Sequence, residues 1–237
     1  MNNIEPKLIV ALDVDSITEA KRLLNKLSKY VKIFKIGPYL FTRYGPKIIK
    51  LVHSYKSEVF LDLKLHDIPN TVANAVRQMV KLKVSILTLH TSGGIEMMKE
   101  AYKAKEDEAK KRNIRKPIIL GITVLSSFNK RDLLRINIQD NIENQVVCLS
   151  RLAKKCHLDG VVASAKEAPA IKKDIGQNFI IASAGIRPKG KHKDDQKRVM
   201  TPKRAIKYGA DYIIMGRPII KSKNPAKAAA DIIKQIL

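Results

Sequence analysis

The chain has no tryptophan, two cysteines and fewer than half as many acidic as basic residues, and each shortage removes a class of function. Cys148 and Cys156 allow at most one disulfide and no cysteine-rich metal site. Free cysteines are usually buried, so both are expected as core thiols. The histidines, His53, His66, His90, His157 and His192, show no zinc spacing, and no metal is expected. No apolar run is long enough to span a bilayer, and Met1 to Pro6 lack the charged start and apolar stretch of a signal peptide. A cytoplasmic protein without a membrane partner is the expectation. With 11 glycines and 10 prolines in 237 residues, collagen-like and low-complexity classes are also excluded.

The missing tryptophan bears on the charge. A formal net charge of +24 raises the possibility of nucleic-acid binding, but the strongest base-stacking side chain is absent. The 34 lysines outnumber the 12 arginines and are spread along the chain. The sequence therefore reads as a lysine-rich solvated surface whose field favours anionic substrates, with no nucleic-acid partner. Two stretches are denser. Residues 99–116 read as a charged helix face, and residues 187–204, containing Pro188, Gly190 and Pro202, read as a loop suited to meeting a phosphate.

What is present is a regular alternation. Hydrophobic residues make up 45% of the chain, and runs rich in Ile, Val and Leu alternate with stretches of helical period, as in βα units with a parallel sheet. Strands are predicted over residues 8–13, 33–37, 58–64, 85–90, 118–124, 160–164, 179–183 and 212–216. Helix starts are marked by the capping box Ser16-Ile17-Thr18-Glu19 and by Thr201-Pro202 and Asn224-Pro225. An open doubly wound sheet would place a glycine-rich phosphate turn after the first strand, where Asp13-Val14-Asp15-Ser16 stands instead. Eight βα units without a linker predict one domain over residues 1–237, an α/β fold of the (β/α)8 TIM-barrel type.

In such a barrel, chemistry gathers at the C-terminal ends of the strands. Asp13, Lys35, Asp62, Lys64 and His90 fall at or near those ends. Strand alternation puts Phe60, Asp62, Lys64 and His66 on one face of the third strand and Val59, Leu61, Leu63 and Leu65 on the other. The apolar face must meet the helices, which sends the charges inward. Buried charges there must neutralise one another or serve a ligand. A catalytic cluster and a structural salt-bridge network both satisfy that demand.

The string Asp62-Leu63-Lys64-Leu65-His66-Asp67-Ile68-Pro69-Asn70-Thr71 resembles the D-x-K-x-x-D-I-P-N-T signature of orotidine 5'-monophosphate decarboxylases. Leu8 to Asp13, Phe34-Lys35-Ile36-Gly37, Ala184-Gly185-Ile186-Arg187-Pro188 with Asp195-Gln196, and Ile213 to Ile219 resemble further segments of that family, in the same order. The one departure noted is Ala184, where many relatives carry proline. The resemblance implies that Lys35, Asp62, Lys64 and Asp67 form the catalytic charge network, with Asp67 and Thr71 entering the partner subunit's site in a homodimer. It implies that Asp13 holds a ribose hydroxyl, that Lys35 also contacts substrate, and that Ser126 contacts the pyrimidine. Arg187, Gln196, Gly216 and Arg217 would bind the 5'-phosphate, and the loop from Arg187 to Met200 would close over it. Orotidine 5'-monophosphate would be the substrate and uridine 5'-monophosphate the product, in pyrimidine biosynthesis, without metal, flavin, thiamine or pyridoxal. His66 is expected to pack, and no role is assigned to His90. The nearest rivals are other phosphosugar barrels, including Mg2+-dependent β-keto acid decarboxylases with a related D-x-K motif.

Overall fold

The computed structural model describes residues 7–188 and 199–237. Strands β1 (Lys7–Ala11), β2 (Ile33–Ile36), β3 (Glu58–Leu65), β4 (Ile86–His90), β5 (Ile118–Ile122), β6 (Gly160–Ser164), β7 (Ile180–Ala184) and β8 (Tyr212–Met215) pair in parallel and in sequence order. Pairing of β8 with β1 closes the barrel. The connecting helices are α1 (Ile17–Leu27), α2 (Pro38–Tyr44), α3 (Pro46–Ser54), α4 (Pro69–Lys81), α5 (Ile95–Arg112), α6 (Lys130–Arg135), α7 (Ile142–Lys155), α8 (Ala168–Ile175), α9 (Pro202–Lys207), α10 (Arg217–Ile220) and α11 (Pro225–Ile236). The architecture is the (β/α)8 barrel that the alternation predicts.

Local signals explain where the helices begin. Ser16 accepts the Glu19 amide at 3.1 Å ahead of α1, and Asn224 accepts the Lys227 amide at 3.1 Å ahead of α11. Thr201 occupies the same position before Pro202, but its side chain makes no capping bond. Proline at the first helical position carries that start, since its fixed φ suits the first turn and its missing N–H is not needed there.

Alternation along the strands divides the apolar residues into two cores. Ile9, Ala11, Ile33, Phe60, Ile86, Leu120, Ala182, Tyr212 and Ile214 point inward and plug the barrel. Val10, Phe34, Val59, Leu61, Leu87, Ile119, Val161, Ile181 and Ile213 point outward and meet the helices. Each fully buried side chain of this size contributes roughly 1.5–3 kcal/mol.

The N-terminal end of the barrel is tied by two matching clamps. Asp159, just before β6, accepts the Ile119 amide at 2.7 Å and the Lys105 ammonium at 3.2 Å. Asp211, just before β8, accepts the Ile181 amide at 2.7 Å and the Lys172 ammonium at 2.8 Å. Within the stretch 99–116, read as a charged helix face, Lys105 is the exception and is buried beneath α5. The cysteine expectation is corrected as well: Cys156 is buried, whereas Cys148 is an exposed free thiol. A helix presents both faces within one turn, so a charge-rich stretch still donates residues to the interior.

Candidate active site

One alternate position beyond the apolar plug, the inward residue becomes polar on four successive strands. Ala11 gives way to Asp13, Ile33 to Lys35, Phe60 to Asp62 and Ile86 to Thr88. The apolar plug closes the barrel below, so these groups open toward the C-terminal mouth. There they line a cavity of about 240 Å³ with Lys64, Ser126, Arg187, Gly216 and Arg217; Thr88 stands behind its wall.

The charges form a row of alternating sign. Lys35 Nζ lies 3.3 Å from Asp13 Oδ1 and 3.5 Å from Asp62 Oδ2, and Lys64 Nζ lies 2.8 Å from that same Asp62 oxygen. Exposure falls and rises along the row: the Asp13 side chain is 56% exposed, Lys35 11%, Asp62 10% and Lys64 33%. The interior pair is thus shielded while both ends face the cavity. Burial alone pushes the Asp62 carboxyl up, but the Lys35 and Lys64 ammoniums and the hydrogen bonds from Lys64 and Thr88 outweigh it. Its pKa falls below the ordinary 3.8, so the group is an anion held between two cations.

Strict alternation does not deliver Lys64. The pairing of β3 with β4 shifts between Leu61 and Leu65, and Lys64 adopts φ 52°. A left-handed backbone at a residue with a Cβ costs on the order of 1–3 kcal/mol and persists only where the surroundings hold it. The expectation that Lys64 meets Asp62 holds, but through an irregular strand end. Thr88 was missed from the sequence. Its hydroxyl donates to Asp62 Oδ1 at 3.0 Å and accepts the Lys64 amide at 2.9 Å. A threonine between Leu87 and Leu89 on a buried strand was the only signal available.

Two glycines lie against the row. A Cβ on Gly37 would come 3.3 Å from Lys35 Nζ, and one on Gly216 would come 3.4 Å from Asp13 Oδ2. The first contact is tight and the second is at the edge of ordinary packing, so a side chain at either position would press on an end of the row. At β7, Met200 returns to pair with the strand extension: the Met200 amide donates to Gly185 O and the Arg187 amide to Met200 O. That bridge pins Arg187, whose buried guanidinium donates to Ile186 O at 2.9 Å. Gln196, with Asp195 and His192, lies outside the described residues, as does most of the loop expected to close.

Asp67 and Thr71 do not join the row. Both are exposed, and Asp67 Oδ1 accepts the neighbouring Ile68 amide at 2.6 Å. Ile68 beside them is 67% exposed, an unusual setting for a large aliphatic side chain. The exposed His66 stacks on His90 with ring centroids 5.3 Å apart. Burial foremost, then the neighbouring His66 and Lys64, hold the His90 imidazole below its usual pKa against the pull of Asp62.

The geometry has a counterpart in known sequences. The model of the orotidine 5'-phosphate decarboxylase / HUMPS family matches residues 6–232. The chain belongs to that family. A relative from Carboxydothermus hydrogenoformans named orotidine 5'-phosphate decarboxylase is 45% identical over 230 residues, covering 97% of this chain and 95% of its own. One from Geotalea daltonii with the same name is 42% identical, covering 98% of this chain and 96% of its own. The crystal structure of orotidine 5'-phosphate decarboxylase from Lactobacillus acidophilus superposes with a TM-score of 0.85 at 33% identity, covering 97% of this chain and 98% of that one.

Proposed function

We propose that this chain decarboxylates orotidine 5'-monophosphate to uridine 5'-monophosphate in pyrimidine biosynthesis. The observation that carries the reading is the Asp13–Lys35–Asp62–Lys64 row at the wall of a cavity that also holds Arg187 and Arg217. The relatives that share nearly the whole chain bear the name of that activity.

The chemistry follows from the charges. The bond from C6 of the pyrimidine to its carboxylate breaks, carbon dioxide leaves and the electron pair stays on C6. A cation aimed at that carbon stabilises the pair as it develops, and preorganised charge of this kind is the largest single contribution in many enzymes. Lys64 is assigned this role: its ammonium is anchored on one side by Asp62, and its side chain, one-third exposed, lines the cavity. Its proton then moves to C6, forming the C–H bond, and the neutral amine recovers a proton from solvent. Asp62 orients Lys64 and faces the departing carboxylate, while Lys35 bridges Asp62 to Asp13. Asp13 and Lys35 take the ribose, Ser126 the pyrimidine, and Arg187, Gln196, Gly216 and Arg217 the phosphate, for which a planar guanidinium supplies paired donors.

Asp67 and Thr71 are assigned to the site of a second subunit. Their exposure beside Ile68, away from their own row, supports a homodimer in which one motif serves two sites. The deciding experiment follows the fall in ultraviolet absorbance when purified protein meets orotidine 5'-monophosphate, with and without chelator. Turnover unchanged by chelator is expected. No absorbance change overturns the substrate, and a chelator-sensitive rate overturns the metal-independent mechanism in favour of the Mg2+-dependent rivals.

A further inference from the structure

The ladder between β3 and β4 leaves a gap at the most critical point of the site. Phe60 pairs with Ile86 and Leu61 with Leu87, and pairing resumes with Leu65 opposite Leu89. On β3 the gap holds Asp62, Leu63 and Lys64, and on β4 it holds Thr88 alone. The regular β3–β4 register therefore does not set Asp62 and Lys64 relative to each other there. The Thr88 hydroxyl spans the gap, and a hydroxyl has one proton to give and lone pairs to accept. Its proton goes to Asp62 Oδ1 at 3.0 Å, and a lone pair receives the Lys64 amide at 2.9 Å. Asp62 Oδ2 remains for the Lys64 ammonium at 2.8 Å. Carboxylate, backbone and ammonium thus close one ring of three hydrogen bonds.

We infer that Thr88 is a positioning residue whose hydroxyl sets the distance and direction of the Lys64 ammonium relative to Asp62, by holding Lys64 in its left-handed backbone and locking the carboxylate rotamer. The side chain is fully buried and does not border the cavity, so it acts through its two partners and not on substrate. This inference rests on the roles proposed above for Asp62 and Lys64. A misplacement of about 1 Å at a reacting group can cost on the order of 100-fold in rate, which is the scale expected when the ring opens.

The charged groups around Asp62 come from every adjoining strand: Lys35 on β2 with Asp13 behind it, Lys64 on β3, and His90 on β4 beside His66. Thr88 is an uncharged member of that set, so its removal leaves the net charge unaltered.

The test compares Thr88→Val, which keeps shape and removes the hydroxyl, with Thr88→Ser, which keeps the hydroxyl. Thr88→Val is expected to lower kcat about 100-fold with little change in KM, and Thr88→Ser to remain within a few-fold of the parent. Thr88→Ala gives the same readouts should the valine crowd the fold. In parallel, carbon-13 NMR of the Asp62 carboxyl should show titration at higher pH in Thr88→Val and Thr88→Ala and near the parent value in Thr88→Ser. A hydroxyl-free variant with parental kcat, a serine variant as impaired as the valine, or an unmoved Asp62 titration would overturn the inference. If the parent protein fails to convert orotidine 5'-monophosphate, the substrate reading falls while the titration still decides Thr88.

Discussion

Lys64 Nζ sits 2.8 Å from Asp62 Oδ2 although Lys64 departs from the strand at φ 52°. Residues two apart on a regular strand are separated by roughly 6.6 Å along its axis and share a face. Here the lysine stem spans that separation after the backbone has turned away from the ladder. The ammonium therefore meets its carboxylate at the cavity wall and not in the plug below it, which leaves one side of the cation free for a reacting group.

Asp62 makes stability depend on acid pH. Its folded pKa lies below the ordinary 3.8, so the unfolded chain binds the proton more readily. The stabilisation it supplies is fully present above about pH 4 and is lost as pH falls through the folded value. Urea unfolding of the parent and of Asp62→Asn should show a stability difference that is constant near neutrality and shrinks below about pH 4. A difference independent of pH would show that Asp62 is not held ionised by its neighbours.

Exposed Asp67 gives a test by mixing. Lys64→Ala and Asp67→Ala should each lose at least about 100-fold in turnover while keeping the fold, as expected for loss of a positioned acid or its partner. Mixed in equal amounts after subunit exchange, they should recover about one quarter of parental activity, because half the dimers are hybrids and each hybrid has one intact site. No recovery despite exchange would place Asp67 in its own subunit's chemistry.

Binding energy at the phosphate end should be expressed in the rate. Orotidine, which lacks the phosphate, and Arg187→Ala acting on the full substrate should both lower kcat as well as raise KM, since remote binding energy organises the reacting end. Steady-state kinetics separates the cases. A change confined to KM would mean that Arg187 only captures the substrate.

At the other end of the barrel, Lys172→Met should destabilise without touching chemistry. Its buried ammonium donates to Gln177 O, Phe179 O and Asp211 Oδ2, so removal strands a carboxylate and two carbonyls. A loss of about 3–5 kcal/mol is expected from breaking a buried pair on one side. Thermal unfolding measures the loss, and kcat of the folded variant should match the parent. A parental melting temperature would assign the pair no structural weight.

Period-2 and period-3.6 patterns determined the eight strands, put Asp13 and Lys35 at strand ends and sent Asp62 inward, because side-chain alternation is a property of the extended backbone itself. The family resemblance, and not the periodicity, pointed to Arg187, Gly216 and Arg217, which the barrel brings to one mouth. The patterns could not show the register shift at Lys64, the hydroxyl of Thr88 across it, the burial of Lys105 or the exposure of Cys148. Those depend on which atom of a neighbouring strand or helix arrives at a given point, and only tertiary packing fixes that. The charges that compose the site were written in one dimension; the 2.8 Å approach of Lys64 to Asp62 was decided by a residue twenty-four positions beyond Lys64 in the chain.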